Sequence, residues 1–354
     1  MSAYLDLARL HAPLLIVIAP FVAASIAFAC PWPRLSWVTA MVGALLTATL
    51  AFDLAARLLL GDGAWIFPAE GVGLKIDGVG VFASALIVVA AVFGLAAAGA
   101  RLNDFDKRAV SAAMTLALCM PAGWLGALAA GDLLGVFVAV EVAWLASVGL
   151  LSLGAERASL SGALRMLGAG GVGAAVFLCG AGLLYRSVGS IQLDAIASAN
   201  IMTPDAAALG AGLMLVGVAL KAGVAPLHEW MGAAFSRASP IAGIVLGAVG
   251  VVGALAVIVR LAAYIIPAPT IGEGVSIALA ALGGASVIVG SLQAVGATNL
   301  RRLAAYAGAA QAGCILLCVA LGSPAGFAAA LVQLTAFAAA ALALFGGAAA
   351  GGVV

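Results

Sequence analysis

Charge is scarce in this sequence. Only 8% of its 354 residues are Asp, Glu, Lys or Arg, where soluble domains run near one quarter, and 66% are hydrophobic, with a mean hydropathy of +1.26. So little charge excludes water as the main solvent of the folded chain. The formal net charge is +1 and no Lys/Arg-rich tract occurs, which excludes the electrostatic footprint that DNA or RNA binding requires. Cysteine is scarce too. Cys30, Cys119, Cys179, Cys314 and Cys318 all lie in apolar stretches, and none belongs to a Cys-x-x-Cys pair with metal-ligand spacing. Cys314 and Cys318 stand one helical turn apart, which suits packing. No redox cofactor site and no metal site is evident, and no interval is long enough for a soluble domain.

What is present is a series of long apolar runs. A spanning helix needs ~20 mostly apolar residues, and such runs occupy about 12–30, 36–60, 79–100, 109–130, 132–153, 161–186, 206–224, 239–266, 273–296, 302–322 and 325–347. The expected fold is therefore an all-α polytopic membrane protein of about eleven transmembrane helices. The first run carries Ala27-Phe28-Ala29, which looks like a signal-peptide cleavage site, but the basic region before it is weak, and we read it as an uncleaved first span. Trp32, Trp37, Trp65 and Tyr264 fall at interruptions where aromatic rings can sit at headgroup level.

The basic residues suggest an orientation. With the N-terminus outside, Arg34, Arg101, Lys107, Arg108, Arg157, Arg165, Arg237, Arg301 and Arg302 fall on the cytoplasmic side, against Arg9, Arg57, Lys75, Arg186 and Arg260 outside. Eleven crossings then leave the C-terminus cytoplasmic. Glycine is abundant, at 46 residues. The stretch Gly168 to Gly173 satisfies GxGxxG, but it lies within a span and follows no strand, so it reads as close helix packing and not as a dinucleotide site.

An ionisable group at the bilayer centre costs ~3 kcal/mol or more and normally faces a partner or a hydrated cavity. Glu141, near the middle of the fifth span, and Lys221, closing the apolar part of the seventh, are the two that stand out. After Lys221 the chain reads Ala222-Gly223-Val224-Ala225-Pro226-Leu227-His228-Glu229-Trp230. Pro226 removes a backbone donor and Gly223 weakens the helix, which predicts a broken seventh helix with Lys221 at the break.

These residues resemble the antiporter-like subunits shared by Mrp cation/proton antiporters, complex I and membrane-bound hydrogenases. Gly131-Asp132-Leu133 followed by Glu141 resembles their fifth-helix glutamate motif. Leu220-Lys221 followed by Pro226-Leu227-His228-Glu229-Trp230 resembles their broken helix, and Ser239-Pro240 resembles the opening of their eighth. Thr298 to Tyr306, with Gln311, is similar to a further family motif. In motif content the Mrp antiporter members look closest.

The resemblance implies inverted five-helix repeats in a single membrane domain. Residues 1–107 would form three N-terminal helices, 108–267 the first repeat and 268–354 the start of a second, incomplete one. It also implies a bacterial-type inner membrane, other membrane subunits as partners and protons as cargo, with sodium as an exchanged ion in some members. A redox-driven pump could own this chain as a membrane-arm subunit without a catalytic centre of its own. Glu141 and Lys221 would be the carboxylate and amine of one half-channel. Burial favours a neutral amine and a nearby carboxylate a charged one, so moving the partner toggles the proton.

Simpler readings stand beside these. Glu141 and Lys221 could be a static ion pair, and His228 a capping or loop residue in place of a relay. Arg165, at a position where the family often has lysine, could be a snorkelling anchor. Asp53 and Asp132 would meet headgroups or water near span ends, and Gln293, Tyr306, Gln311 and Gln333 would hold water or bond across helices. Two departures favour an alternative, a degenerate scaffold subunit that does not conduct. The family's eighth-helix base is replaced by Ala248-Val249-Gly250-Val251-Val252-Gly253, and the sequence stops after the eleventh helix where the family continues to a twelfth, so that the second half-channel is cut from this sequence, missing, or supplied by another chain. If the chain conducts, Gly247, Gly250 and Gly253 are expected to line a hydrated space.

Overall fold

A membrane span cannot leave backbone amides or carbonyls unpaired, so each long apolar run must resolve into helix. The structure, a computed structural model, describes residues 11–61, 65–67, 73–100, 102, 107–154, 157–199, 203–268 and 270–350. Arg9 and Arg101 lie outside the described residues, as do the side chains of Trp65, Lys107, Arg108 and Arg157. Among the described residues, eleven helices are long and apolar enough to cross a membrane.

The first six are α1 (Ala12–Ala29), α2 (Pro33–Leu59), α3 (Gly78–Gly99), α4 (Lys107–Ala129), α5 (Leu133–Ser152) and α6 (Arg157–Val188). After a short α7 (Leu193–Ser198), the seventh span is split into α8 (Pro204–Lys221) and a two-turn α9 (Glu229–Ser236). The last four are α10 (Pro240–Ile265), α11 (Gly272–Val295), α12 (Leu300–Ala320) and α13 (Pro324–Ala350). Each lies within a few residues of the run that predicts it.

The starts follow local chemistry. The carboxylates of Asp77 and Asp132 accept from the amides of Gly80 and Gly135 at 2.7 and 2.9 Å, and Asn299 accepts from Arg302 at 2.8 Å. Proline occupies the first turn of α2, α8 and α10, where its missing amide is harmless.

The interval between α2 and α3 adds an element that hydropathy does not predict. A two-stranded antiparallel hairpin pairs β1 (Trp65–Phe67) with β2 (Leu74–Ile76), in the register Trp65↔Ile76. The open end, where β2 runs into α3, is fastened to the bundle by Arg260 of α10, whose side chain is 1% exposed. The guanidinium donates to Asp77 Oδ2 at 2.8 Å and to the carbonyls of Lys75, Ala127 and Ala130 at 2.7, 3.2 and 2.8 Å. Tyr264 donates to the same carboxylate at 2.9 Å, and Lys75 pairs with Asp194 of α7.

This cluster corrects two expectations. Arg260 is an interior ligand of several segments and not a loop charge, and the Tyr264 hydroxyl is engaged inward and not at headgroups. Trp37 also turns inward, donating to the carbonyl of Leu95 at 2.7 Å, while Trp32 is exposed. Asp132 is fully buried as the cap of α5 and does not meet water; Asp53 is half exposed and pairs with Arg57 at 2.9 Å.

Apart from Arg260 and Tyr264 near its C-terminal end, helix α10 is apolar on every side, and nearly all of it is buried, against α3, α4, α8, α12 and α13. Its middle, Leu246–Val251, is wound as a π-helical turn. Such turns inside α-helices are rare and are frequent at functional sites. Here a glycine within the turn and one just after it admit bulky neighbours, since a Cβ at Gly247 would overlap the ring of Phe345 and one at Gly253 the ring of Trp124. The space expected to hold water beside these two glycines is thus occupied by aromatic side chains.

Candidate functional site

The break in the seventh span is built from its own sequence. Lys221 ends α8, Ala222 caps it, and Gly223 follows at φ +69°, a left-handed conformation that glycine adopts at little cost. The amides of Gly223 and Val224 donate back to the carbonyls of Leu220 and Ala219 at 3.2 and 3.0 Å, the pattern of a Schellman motif. Gly223 therefore does more than weaken the helix, because it closes it.

Groups freed by the break find partners on other helices. Trp230 donates through Nε1 to the carbonyl of Leu220 at 2.9 Å. The amide of Ala225 donates to Ser286 Oγ of α11 at 3.0 Å, and that hydroxyl donates to the carbonyl of Ala309 at 2.7 Å. Irregular backbone at membrane depth survives only with such substitutes.

The Lys221 side chain, 2% exposed, projects from this break into a space bounded by α5 and α6. Its ammonium lies 2.9 Å from Glu141 Oε1, donates to the carbonyl of Gly170 at 3.2 Å, and sits 4.7 Å from the centre of the Trp144 ring. The C-terminal end of α8 adds favourable partial negative charge. Glu141 is 23% exposed, on the face of α5 that also shows Leu134, Val138 and Leu145. The amine is thus enclosed, while its carboxylate partner stands at the edge of the chain.

A second polar group begins at His228, which is 1% exposed. Its imidazole makes no capping bond to α9. Nε2 instead faces Gln293 Oε1 of α11, whose amide nitrogen donates to Glu229 Oε1 at 3.4 Å. The ring of Tyr306 from α12 stands edge-on at 6.2 Å. His228 is therefore the inner end of a short polar chain that reaches the exposed Glu229.

The structure brings together Glu141 with Lys221, and His228 with Tyr306. It does not bring Gln311 or Arg165 to them. Gln311 bonds to Gln333 of α13, and Arg165 lies exposed on the outer side of α6 beside Leu164. Sequence reasoning missed Trp144 and Gly170 around the amine, and the part of Gln293 and Glu229 in the chain from His228. Trp144 had a signal, since it follows Glu141 by three residues on one helix face; the carbonyl of Gly170 had none.

The sequence itself falls within a known family. Residues 130–352 match the family model described as NADH:quinone oxidoreductase/Mrp antiporter, TM. The chain belongs to this family. The NADH-quinone oxidoreductase subunit N of Desulforudis audaxviator is 32% identical over 333 residues, covering 88% of this chain and 64% of that protein. This chain thus spans slightly under two thirds of that relative's length. Among solved structures, a chain of an archaeal membrane-bound sulfane sulfur reductase superimposes with a TM-score of 0.86 at 20% identity, covering 94% of this chain and 69% of the other. A chain of the Mrp complex from Dietzia sp. DQ12-45-1b does so with 0.80 at 24%, covering 95% and 63%. The chain is a multi-pass antiporter-like membrane protein with the fold of these subunits.

Proposed function

We propose that this chain translocates protons as one subunit of a multi-subunit membrane complex, with Glu141 and Lys221 as the switching pair of the 108–267 repeat. The observation that carries the reading is an ammonium enclosed at a helix break, paired at 2.9 Å with a carboxylate that is itself partly exposed. An enclosed charge changes its proton occupancy when its partner moves, and Glu141 has a side on which to move. A carboxylate on a lateral, otherwise apolar face also calls for a neighbouring subunit to cover it. His228, Gln293 and Glu229 supply donors and acceptors along the α8–α9 break, so the reading needs no base on α10.

The test is proton flux in vesicles holding the assembled complex, in sodium-free and sodium-containing buffer. Lys221→Gln and Glu141→Gln are each expected to lower flux by about tenfold or more, the loss of roughly 1.4 kcal/mol or more of barrier lowering. Assembly should persist. Full flux in both would leave the pair a structural tie, and a flux that appears only with sodium would identify exchange.

A second reading, a scaffold that does not conduct, is favoured by the aromatic rings that fill α10 beside Gly247 and Gly253. It predicts an assembled complex whose flux is indifferent to both substitutions.

We also propose an N-terminus outside and a C-terminus in the cytoplasm. With Arg260 removed from the loop charges, Arg9, Arg57, Lys75 and Arg186 remain on the outer side, still outnumbered by the basic residues assigned to the inner side. A reporter active only outside the cytoplasm should work when fused after Ser190 and fail after Arg302. The reverse pattern inverts the topology.

A further inference from the structure

We infer that Trp144 is a positioning residue for Lys221, its indole face serving as a second, uncharged holder of the ammonium. The inference rests on the proposed transport role, in which Lys221 carries the ion. During a cycle Glu141 must at some stage cease to neutralise the amine, either by taking a proton or by turning toward its exposed side. Lys221, at 2% exposed, cannot follow it to water. A charge left without a partner in such surroundings is strongly disfavoured. Among the described residues, the carbonyl of Gly170 at 3.2 Å and the ring of Trp144 at 4.7 Å remain within reach. Tryptophan has the ring face that attracts cations best, and the attraction grows when the pair is dry.

The surroundings fix this ring in place. Trp144 is 2% exposed and lies on the same face of α5 as Glu141, so one helix presents both holders of the amine. Gly170 leaves room for it, since a Cβ there would overlap the indole. Trp230 meets it edge-on at 5.1 Å and 81°, and is itself tied to the carbonyl of Leu220, the residue before Lys221. Trp230 thus holds the indole beside the break with its face on the ammonium.

Ring fluorination separates this role from packing, because it weakens the π face step by step while hardly changing shape. Tryptophan analogues carrying one to three ring fluorines, placed at position 144 of the full chain in its complex, should lower proton flux by about two- to threefold per step. Trp144→Phe should retain part of the flux and Trp144→Leu little of it, all with normal assembly. In a Lys221→Gln background the fluorine series should have no effect. A flat series in a chain that still requires Lys221 would overturn the inference alone. Full flux in Lys221→Gln itself would overturn the transport reading beneath it.

Discussion

An Arg260→Ala chain should lose about 3–5 kcal/mol of stability, the loss expected when one partner of a buried ion pair is removed. The side chain is 1% exposed and spends its donors on Asp77 and on the carbonyls of Lys75, Ala127 and Ala130. Without it the Asp77 carboxylate, 20% exposed, keeps, among the described residues, Tyr264 and the amide of Gly80, and three carbonyls lose a charged donor. Two of those carbonyls lie at the end of α4, where a cation also complements the helix dipole. Arg260→Lys should fall between the parent and the alanine variant, because an ammonium cannot span the same fork of acceptors. The double variant Arg260→Met/Asp77→Leu should be milder than Arg260→Ala, since it strands no charge. Denaturant midpoints of the purified chain or complex measure all three. An alanine variant within about 1 kcal/mol of the parent would show that the cluster is hydrated and of little consequence.

Gly250→Lys should prevent assembly. The substitution places a titratable group at the helix position where the resemblance implies a base, and α10 has little room for it. A Cβ at Gly250 already stands 2.8 Å from Leu246 Cδ1 and 3.4 Å from Met120 Sδ. Forcing the remaining side chain among them costs about 1–3 kcal/mol in packing, and the charge ~3 kcal/mol or more if it finds no water. Gly250→Ala separates the two effects. Its one contact under 3 Å is with the end of a flexible leucine, and alanine gains about 1 kcal/mol in helix propensity, so that variant should assemble. Gly253→Ala should be worse than Gly250→Ala, because it must displace the buried ring of Trp124. The fraction of complex recovered by native electrophoresis reads each outcome. An assembled Gly250→Lys complex with flux equal to or above the parent would place a hydrated path at α10 and end the packed reading of that helix.

Both results concern residues whose significance is spatial, and they mark how far the chain could be read before folding. The spans were legible because the bilayer imposes one rule on about twenty residues at a time, which composition alone satisfies. The break after Lys221 was legible because Gly223 and Pro226 act through the backbone beside them. Glu141 and Lys221 stood out because a charge within an apolar run is costly wherever it ends up. Asp132 was misread for a related reason. Position near a span end suggests water, but its carboxylate serves the amide of Gly135 in a buried cap.

By itself, then, the sequence determined the eleven candidate spans found among the described residues, where the seventh helix breaks, and that Glu141 and Lys221 lie within spans. These features follow from solvent and from local backbone geometry, and neither needs a partner distant in the chain. Tertiary structure alone decided what the interior charges meet. Arg260 reaches Asp77 across 183 residues, and Lys221 reaches the carbonyl of Gly170 across 51. It also decided that the glycines of α10 receive the rings of Phe345 and Trp124, where an open space was equally compatible with the sequence. Which side chain enters such a gap depends on how helices cross. In a chain whose helices are apolar on nearly every face, hydropathy distinguishes those crossings poorly, and only close packing selects among them.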